Sequence, residues 1–135
     1  MKEHIKINRS FEFTKDSSIR LNGKKLCDYK SIPACKGVYI FHIGSIDKVW
    51  SNKKNILYIG AANRESLRSR IRKNSIAKII NPSIKIKVPS KPIYVTYCTL
   101  DKDVPDYLPF LIEGWLLNKY EKTFKSLPEA NFGRR

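Results

Sequence analysis

Two short apolar runs, "GVYIFHI" over 37–43 and "NILYIG" over 55–60, stand on either side of the polar, turn-prone stretch 44–55. Runs of this length, rich in Val, Ile, Tyr and Phe and marked by glycine, form strands. A connection of this size makes an antiparallel hairpin the simplest arrangement. Period-two alternation then points Tyr39 and Tyr58 to the same face of the sheet, which is expected to be an active surface.

The rest of the chain supplies a ribbon, another strand and two helices. In "HIKINRSFEF", Ile5, Ile7, Phe11 and Phe13 fall at period two, and Asn22-Gly23 signals a tight turn inside "IRLNGKKL". Residues 1–35 therefore read as a basic β-ribbon extension. After Gly60 the period changes: Leu67, Ile71, Ile76, Ile79 and Ile80 fit a helical stripe, started by Asn63 or Ser66 and ended by Asn81-Pro82. "PIYVTYCTL" is a strong strand, preceded by the basic extended segment "KIKVPSK". "PFLIEGWLLNKYEKTF" is a helix from about Pro109, with Leu111, Ile112, Trp115, Leu116 and Phe124 on its expected buried side and Glu113 within that apolar stretch. The fold class that results is α+β, a small antiparallel sheet of about three core strands flanked by helices. The 135 residues are expected to form a single domain.

Charge narrows the partner. Lys and Arg number 27 against 12 Asp and Glu, a formal charge of +15 spread along the whole chain. Such a surface attracts nucleic acid by counterion release. With no run of about eighteen apolar residues and no secretory signal in "MKEHIKINRSFEF", a membrane partner is not expected and the protein is assigned to the cytoplasm. The three cysteines, Cys27, Cys35 and Cys98, are an odd number without close spacing, and two histidines are too few for a His-based metal site. Chemistry must lean on Tyr, Arg, Lys and carboxylates.

The order of residues resembles the GIY-YIG nuclease family. Gly37-Val38-Tyr39 stands for the first signature triplet and Tyr58-Ile59-Gly60 for the second, unaltered. "SLRSRI" is similar to the family's Leu-x-x-Arg-hydrophobic stretch through Leu67, Arg70 and Ile71. Glu113 in a late apolar helix and Pro128 to Asn131, a Pro-x-x-Asn ending, complete the pattern over about 36–132, the nuclease-like core. The resemblance implies a divalent-metal-dependent DNA endonuclease that hydrolyses phosphodiester bonds, of restriction or mobile-element type. Its alternative is a catalytically degenerate nucleic-acid-binding module of the same fold.

Under that resemblance, Tyr39 helps to activate water, Tyr58 orients water or phosphate, and an arginine places a charged fork on the phosphate oxygens. Arg68 matches the family's distance from the second glycine and Arg70 its local context; Arg70 is preferred because Leu67 and Ile71 fix the helix face. Glu113 holds Mg²⁺ or Mn²⁺ with waters and substrate, the one cofactor implied. Asn131 fixes the geometry of the site, and Gly37 and Gly60 serve as structural turns. For each tyrosine the competing reading is packing in a strand, and for Glu113 it is a helix-surface ion pair. Arg68, Arg72, Lys73, Lys85, Lys87, Lys24 and Lys25 are the candidate DNA-backbone contacts, with solubilising charge as their ordinary role. Double-strand cleavage by so small a site calls for a dimer or sequential nicks.

Two positions depart from the family. Asn74 stands where many members carry a histidine one helical turn after the arginine, and Ala61 where many carry a lysine. His42, Lys53, Lys54 or Lys73 are the candidates to substitute in space.

Overall fold

The computed structural model describes residues 13, 15–22, 25–26, 29–74 and 92–131. The strands are β1 (Ser18–Asn22), β2 (Lys25–Leu26), β3 (Gly37–Ile43), β4 (Ile56–Ala62) and β5 (Ile93–Thr99); the helices are α1 (Leu67–Asn74) and α2 (Leu108–Phe124). All strand pairs are antiparallel, in the order β2-β1-β5-β3-β4. The fold is α+β, as expected. Its main sheet has four strands rather than about three, because β1 of the expected appendage pairs with β5 through Ile19 opposite Val95. Strand β2 then pairs on the outer side of β1, Asn22 opposite Lys25.

The hairpin of β3 and β4 forms with Tyr39 opposite Gly60 and Phe41 opposite Tyr58. A register shift between Phe41 and His42 adds a bulge where β4 enters the sheet. Both strands are buried along their whole length, since each face of the sheet carries a helix. On one face Tyr39, Phe41 and Tyr58 pack with Leu67 and Ile71 of α1; on the other Val38, Ile40 and Ile59 pack with Ile112, Leu116 and Tyr120 of α2.

Helix α1 is capped by Ser66, whose Oγ accepts from the Ser69 N–H at 3.2 Å, as one of the two expected caps. Helix α2 starts with proline in its first turn, where a missing N–H costs nothing, and ends at Lys125 in the left-handed region with φ 65°. The buried side of α2 differs from the sequence expectation. Ile112, Glu113, Leu116, Leu117 and Tyr120 face the sheet, whereas Leu111 and Trp115 are exposed. Once Ile112 is turned inward, the 3.6-residue period carries Leu116 and Tyr120 with it and leaves Leu111 and Trp115 on the far side.

The expected turn glycines are strand residues instead. A Cβ on Gly37 would run into the Cys98 carbonyl oxygen and lie 2.6 Å from Leu67 Cδ1, and a Cβ on Gly60 would lie 2.5 Å from Tyr39 Oη. Both are glycine because a neighbour occupies the space of a side chain. Among the described residues no helix is long and apolar enough to cross a membrane. The early ribbon residues, Lys24, the helical positions 76–82 and "KIKVPSK" with Lys85 and Lys87 lie outside the described residues.

Candidate active site

The site candidates gather around the β3–β4 hairpin, between the helices of the two faces. Tyr39 and Tyr58 share a face, their ring centroids 6.1 Å apart, as the strand period requires. That face is not the open surface expected of it: Tyr39 is 0% and Tyr58 1% exposed, because α1 lies across them. The Tyr39 hydroxyl accepts a hydrogen bond from Asn74 Nδ2, reached from the last turn of α1.

The surroundings of Tyr39 locate the other groups. Burial above all pushes its phenol well above the ordinary range; neighbouring Tyr58 adds to this, and the Glu113 carboxylate adds further. The Asn74 hydrogen bond and the Arg70 guanidinium pull the other way. The charges of Arg70 and Glu113 are thus both felt at one phenol, although they come from helices on opposite faces. Desolvation outweighs the nearby cation, and Tyr39 stays protonated.

The two arginines separate clearly. Arg68 donates from Nε to the Ile32 carbonyl at 2.8 Å, which commits it to holding the loop before β3. Arg70 is half-buried and points toward Glu65, Nη1 to Oε1 3.7 Å. Glu65 also takes an ion pair from Lys73 and a 2.9 Å hydrogen bond from Ser69 Oγ, so the carboxylate just before α1 organises the arginine's surroundings. Lys73 and Arg72 are both exposed on α1.

Glu113 lies on the inward side of α2 at 8% exposure. Among the described residues no group of three or more His, Cys, Asp or Glu side chains comes together. Of the sequence-predicted site residues Glu113 alone offers a carboxylate, and a hard cation held by few protein oxygens keeps most of its water or takes substrate oxygens.

Asn131 works through the backbone. Its Oδ1 accepts from the Ile59 N–H at 3.0 Å and its Nδ2 donates to the Ile59 carbonyl at 3.0 Å. Both partners belong to the residue between Tyr58 and Gly60 on the edge strand of the sheet, so the tail pins the strand that carries half of the site. Asn131 is 2% exposed, a buried amide with its needs met.

His42 does not fill the place of the absent histidine. It lies among the residues alternating to the α2 side, stacked on Tyr94 with centroids 5.9 Å apart. Its Nδ1 contacts the Gly44 carbonyl at 3.0 Å and its Nε2 contacts Thr96 Oγ1 at 2.6 Å. A carbonyl only accepts, so Nδ1 carries the proton, Nε2 accepts from Thr96, and Thr96 in turn accepts from the Ser18 hydroxyl. Burial keeps the ring neutral, with its pKa lowered to about 4. Lys53 and Lys54 are exposed at the opposite end of β4, and the Lys53 carbonyl accepts from Tyr120 at 2.5 Å.

Sequence reasoning did not single out Asn74 and Glu65 as members of the site. Asn74 carried a signal, since it follows Arg70 by one helical turn and shares its face. Glu65 carried none, because a carboxylate before a basic helix looks like any other surface acid. Ala61 is itself buried, among the residues beneath α2. No family model, curated protein or solved structure matches the chain.

Proposed function

We propose that the protein is a divalent-metal-dependent DNA endonuclease with a GIY-YIG-like core, cutting phosphodiester bonds at the end of β4. One observation supports this reading: Tyr39 and Tyr58 lie side by side, ring centroids 6.1 Å apart, and the charges of Arg70 and Glu113, from helices on opposite faces, are both felt at the Tyr39 phenol. The +15 charge supplies the attraction for DNA.

In this reading Arg70 leaves Glu65 for the nonbridging oxygens of the phosphate, where its planar fork offsets the charge that builds in the transition state. Glu113 holds the cation. A bound Mg²⁺ or Mn²⁺ supplies charge compensation at the phosphate and lowers the pKa of coordinated water. Tyr39 keeps its proton in the resting protein, so it orients the nucleophilic water as a hydroxyl rather than removing its proton unaided. Asn74 fixes that hydroxyl, and Asn131 fixes the strand beneath it.

A second reading has its own support. The full burial of Tyr39 and its pairing with an uncharged amide favour a module of the same fold that holds nucleic acid without cutting it. Incubation of the purified protein with supercoiled DNA and Mg²⁺ or Mn²⁺ separates the two. Nicking that both Glu113→Ala and Arg70→Ala abolish supports the enzyme. Salt-sensitive binding with no nicking supports the module, and nicking that survives Glu113→Ala refutes the proposed site.

A further inference from the structure

A cavity of about 580 Å³ opens at the end of β4, beside the cluster around Tyr39. Ala61, Asn63, Arg64 and Arg70 form one wall, and Tyr107 and Phe110 of the α2 entry form another. Three features of its lining point to the same occupant.

The first is an orphan. Asn63 Oδ1 is buried and has no hydrogen-bond partner among the described residues. A buried acceptor left unpaired is costly and rare, and the residue that carries this one lines the cavity, so a turn of its amide would bring the oxygen to the opening. The second is aromatic. Tyr107 and Phe110 are separated by one helical turn and are 66% and 49% exposed, two large rings held at the mouth of a cavity rather than in a core. The third is charge: the carboxylates in the lining are already engaged, Asp106 by Lys36 Nζ at 3.0 Å and Glu65 by Lys73, whereas Arg64 has no ion-pair partner among the described residues.

We propose that this cavity receives an unpaired nucleobase of the bound strand, stacked on Tyr107 and Phe110, with the Asn63 amide turning so that Oδ1 accepts an N–H of the base's pairing edge. The inference rests on the proposed function only in taking nucleic acid as the ligand. Aromatic faces stack on any base, an amide oxygen requires an N–H donor, and a free guanidinium takes the adjoining phosphate. A base inside a duplex has its N–H groups engaged and its faces covered, so only an unpaired one satisfies all three features. The substrate class is therefore DNA with unpaired nucleotides next to the cleaved bond, such as a flap, bubble or junction, in preference to an intact duplex.

The test measures binding without cutting. In EDTA, the full chain is titrated by fluorescence anisotropy into a labelled single-stranded oligonucleotide and into the same strand with a central run of abasic sites, which keeps every phosphate. The base-bearing strand is expected to bind about five- to a hundredfold tighter. Tyr107→Ala with Phe110→Ala, and separately Asn63→Ala, are expected to bring that ratio toward one while affinity for the abasic strand stays the same. The two aromatic residues are exposed, so their truncation spares the core, and a thermal melt of each variant verifies this. Equal affinity of the two strands, a double variant that keeps the full ratio, or no binding to either strand overturns the proposal. A protein that discriminates bases but never cuts DNA retains this pocket and loses the nuclease reading; one that cuts without discriminating does the reverse.

Discussion

The ring of Tyr39 occupies the space where a side chain on Gly60 would stand. A Cβ built there runs into Tyr39 Cζ and lies 2.5 Å from Oη, and the ring is fully buried with no free direction to move. Gly60→Ala is therefore expected to destabilise the protein by about 1–3 kcal/mol, the usual cost of overpacking a core. Urea denaturation of the purified variant measures it. An unchanged midpoint would mean that the tyrosine has another place to go.

Removing only the hydroxyl separates chemistry from packing. Tyr39→Phe keeps the ring over Gly60 but takes the acceptor from Asn74. Nicking is expected to fall by about 10²-fold, the cost of losing the group that positions the water, while DNA affinity changes little. The phenol's raised pKa adds a spectroscopic check: in an alkaline absorbance titration, Tyr39 should ionise later than an exposed tyrosine or only with unfolding.

The two arginines two residues apart should fail in different ways. Arg68→Ala breaks the bond to the Ile32 carbonyl and is expected to cost about 1.5–3 kcal/mol of stability, with DNA cleavage retained below the melting point. Arg70→Ala is expected to leave the thermal midpoint nearly unchanged and to abolish nicking. Melting curves and plasmid nicking on both variants decide the assignment, and exchanged phenotypes would make Arg68 the phosphate ligand.

The buried histidine predicts acid lability. The folded-state pKa of His42 is about 4, against 6.5 for an unperturbed ring. Between these values the unfolded chain binds a proton that the folded chain refuses. The contribution is therefore fully present above about pH 6.5 and is lost as pH falls toward 4, a change of about 3 kcal/mol. Urea midpoints at pH 7.5 and 4.5 report it, and His42→Gln, which keeps a polar side chain without titrating, should flatten the difference.

Asn131→Ala strips both bonds from Ile59 and leaves two backbone groups to find other partners. A cost of about 1–3 kcal/mol is expected. Amide hydrogen exchange offers the sharper reading, since protection should fall first at Ile59 and its neighbours rather than across the sheet.

The sequence carried the local information well and the long-range information poorly. The span of β3, the start of β4 and the shared face of Tyr39 and Tyr58 follow from periodicity over a few residues and were legible, as was Ser66 as one of two candidate caps; the run of β4 past Gly60 to Ala62 was not. The pairing of β1 with β5 was not, because Ser18 and Thr96 are far apart in the chain and nothing near either names the other. Leu111 and Trp115 were placed inside because a helix so rich in apolar residues does not announce which stripe it will bury. Gly60 was assigned to a turn because glycine at the end of an apolar run usually marks one; that it instead makes room for a ring depends on the facing strand. Asn131 was marked as a residue that fixes geometry, but its grip on Ile59 joins the tail to a strand remote in sequence and leaves no local trace.

The position of that grip also bears on how copies of the chain can associate. Strand β4 closes one border of the sheet, and an uncovered border strand is an invitation for another chain to add on and begin a polymer. The Asn131 amide imitates a neighbouring strand at the middle of β4 and occupies the main-chain groups that a newcomer would need. Zippering of one molecule onto another through the middle of this border meets main-chain groups that the Asn131 amide already holds, so an assembly that forms across Ile59 while that amide is seated must rely on side chains.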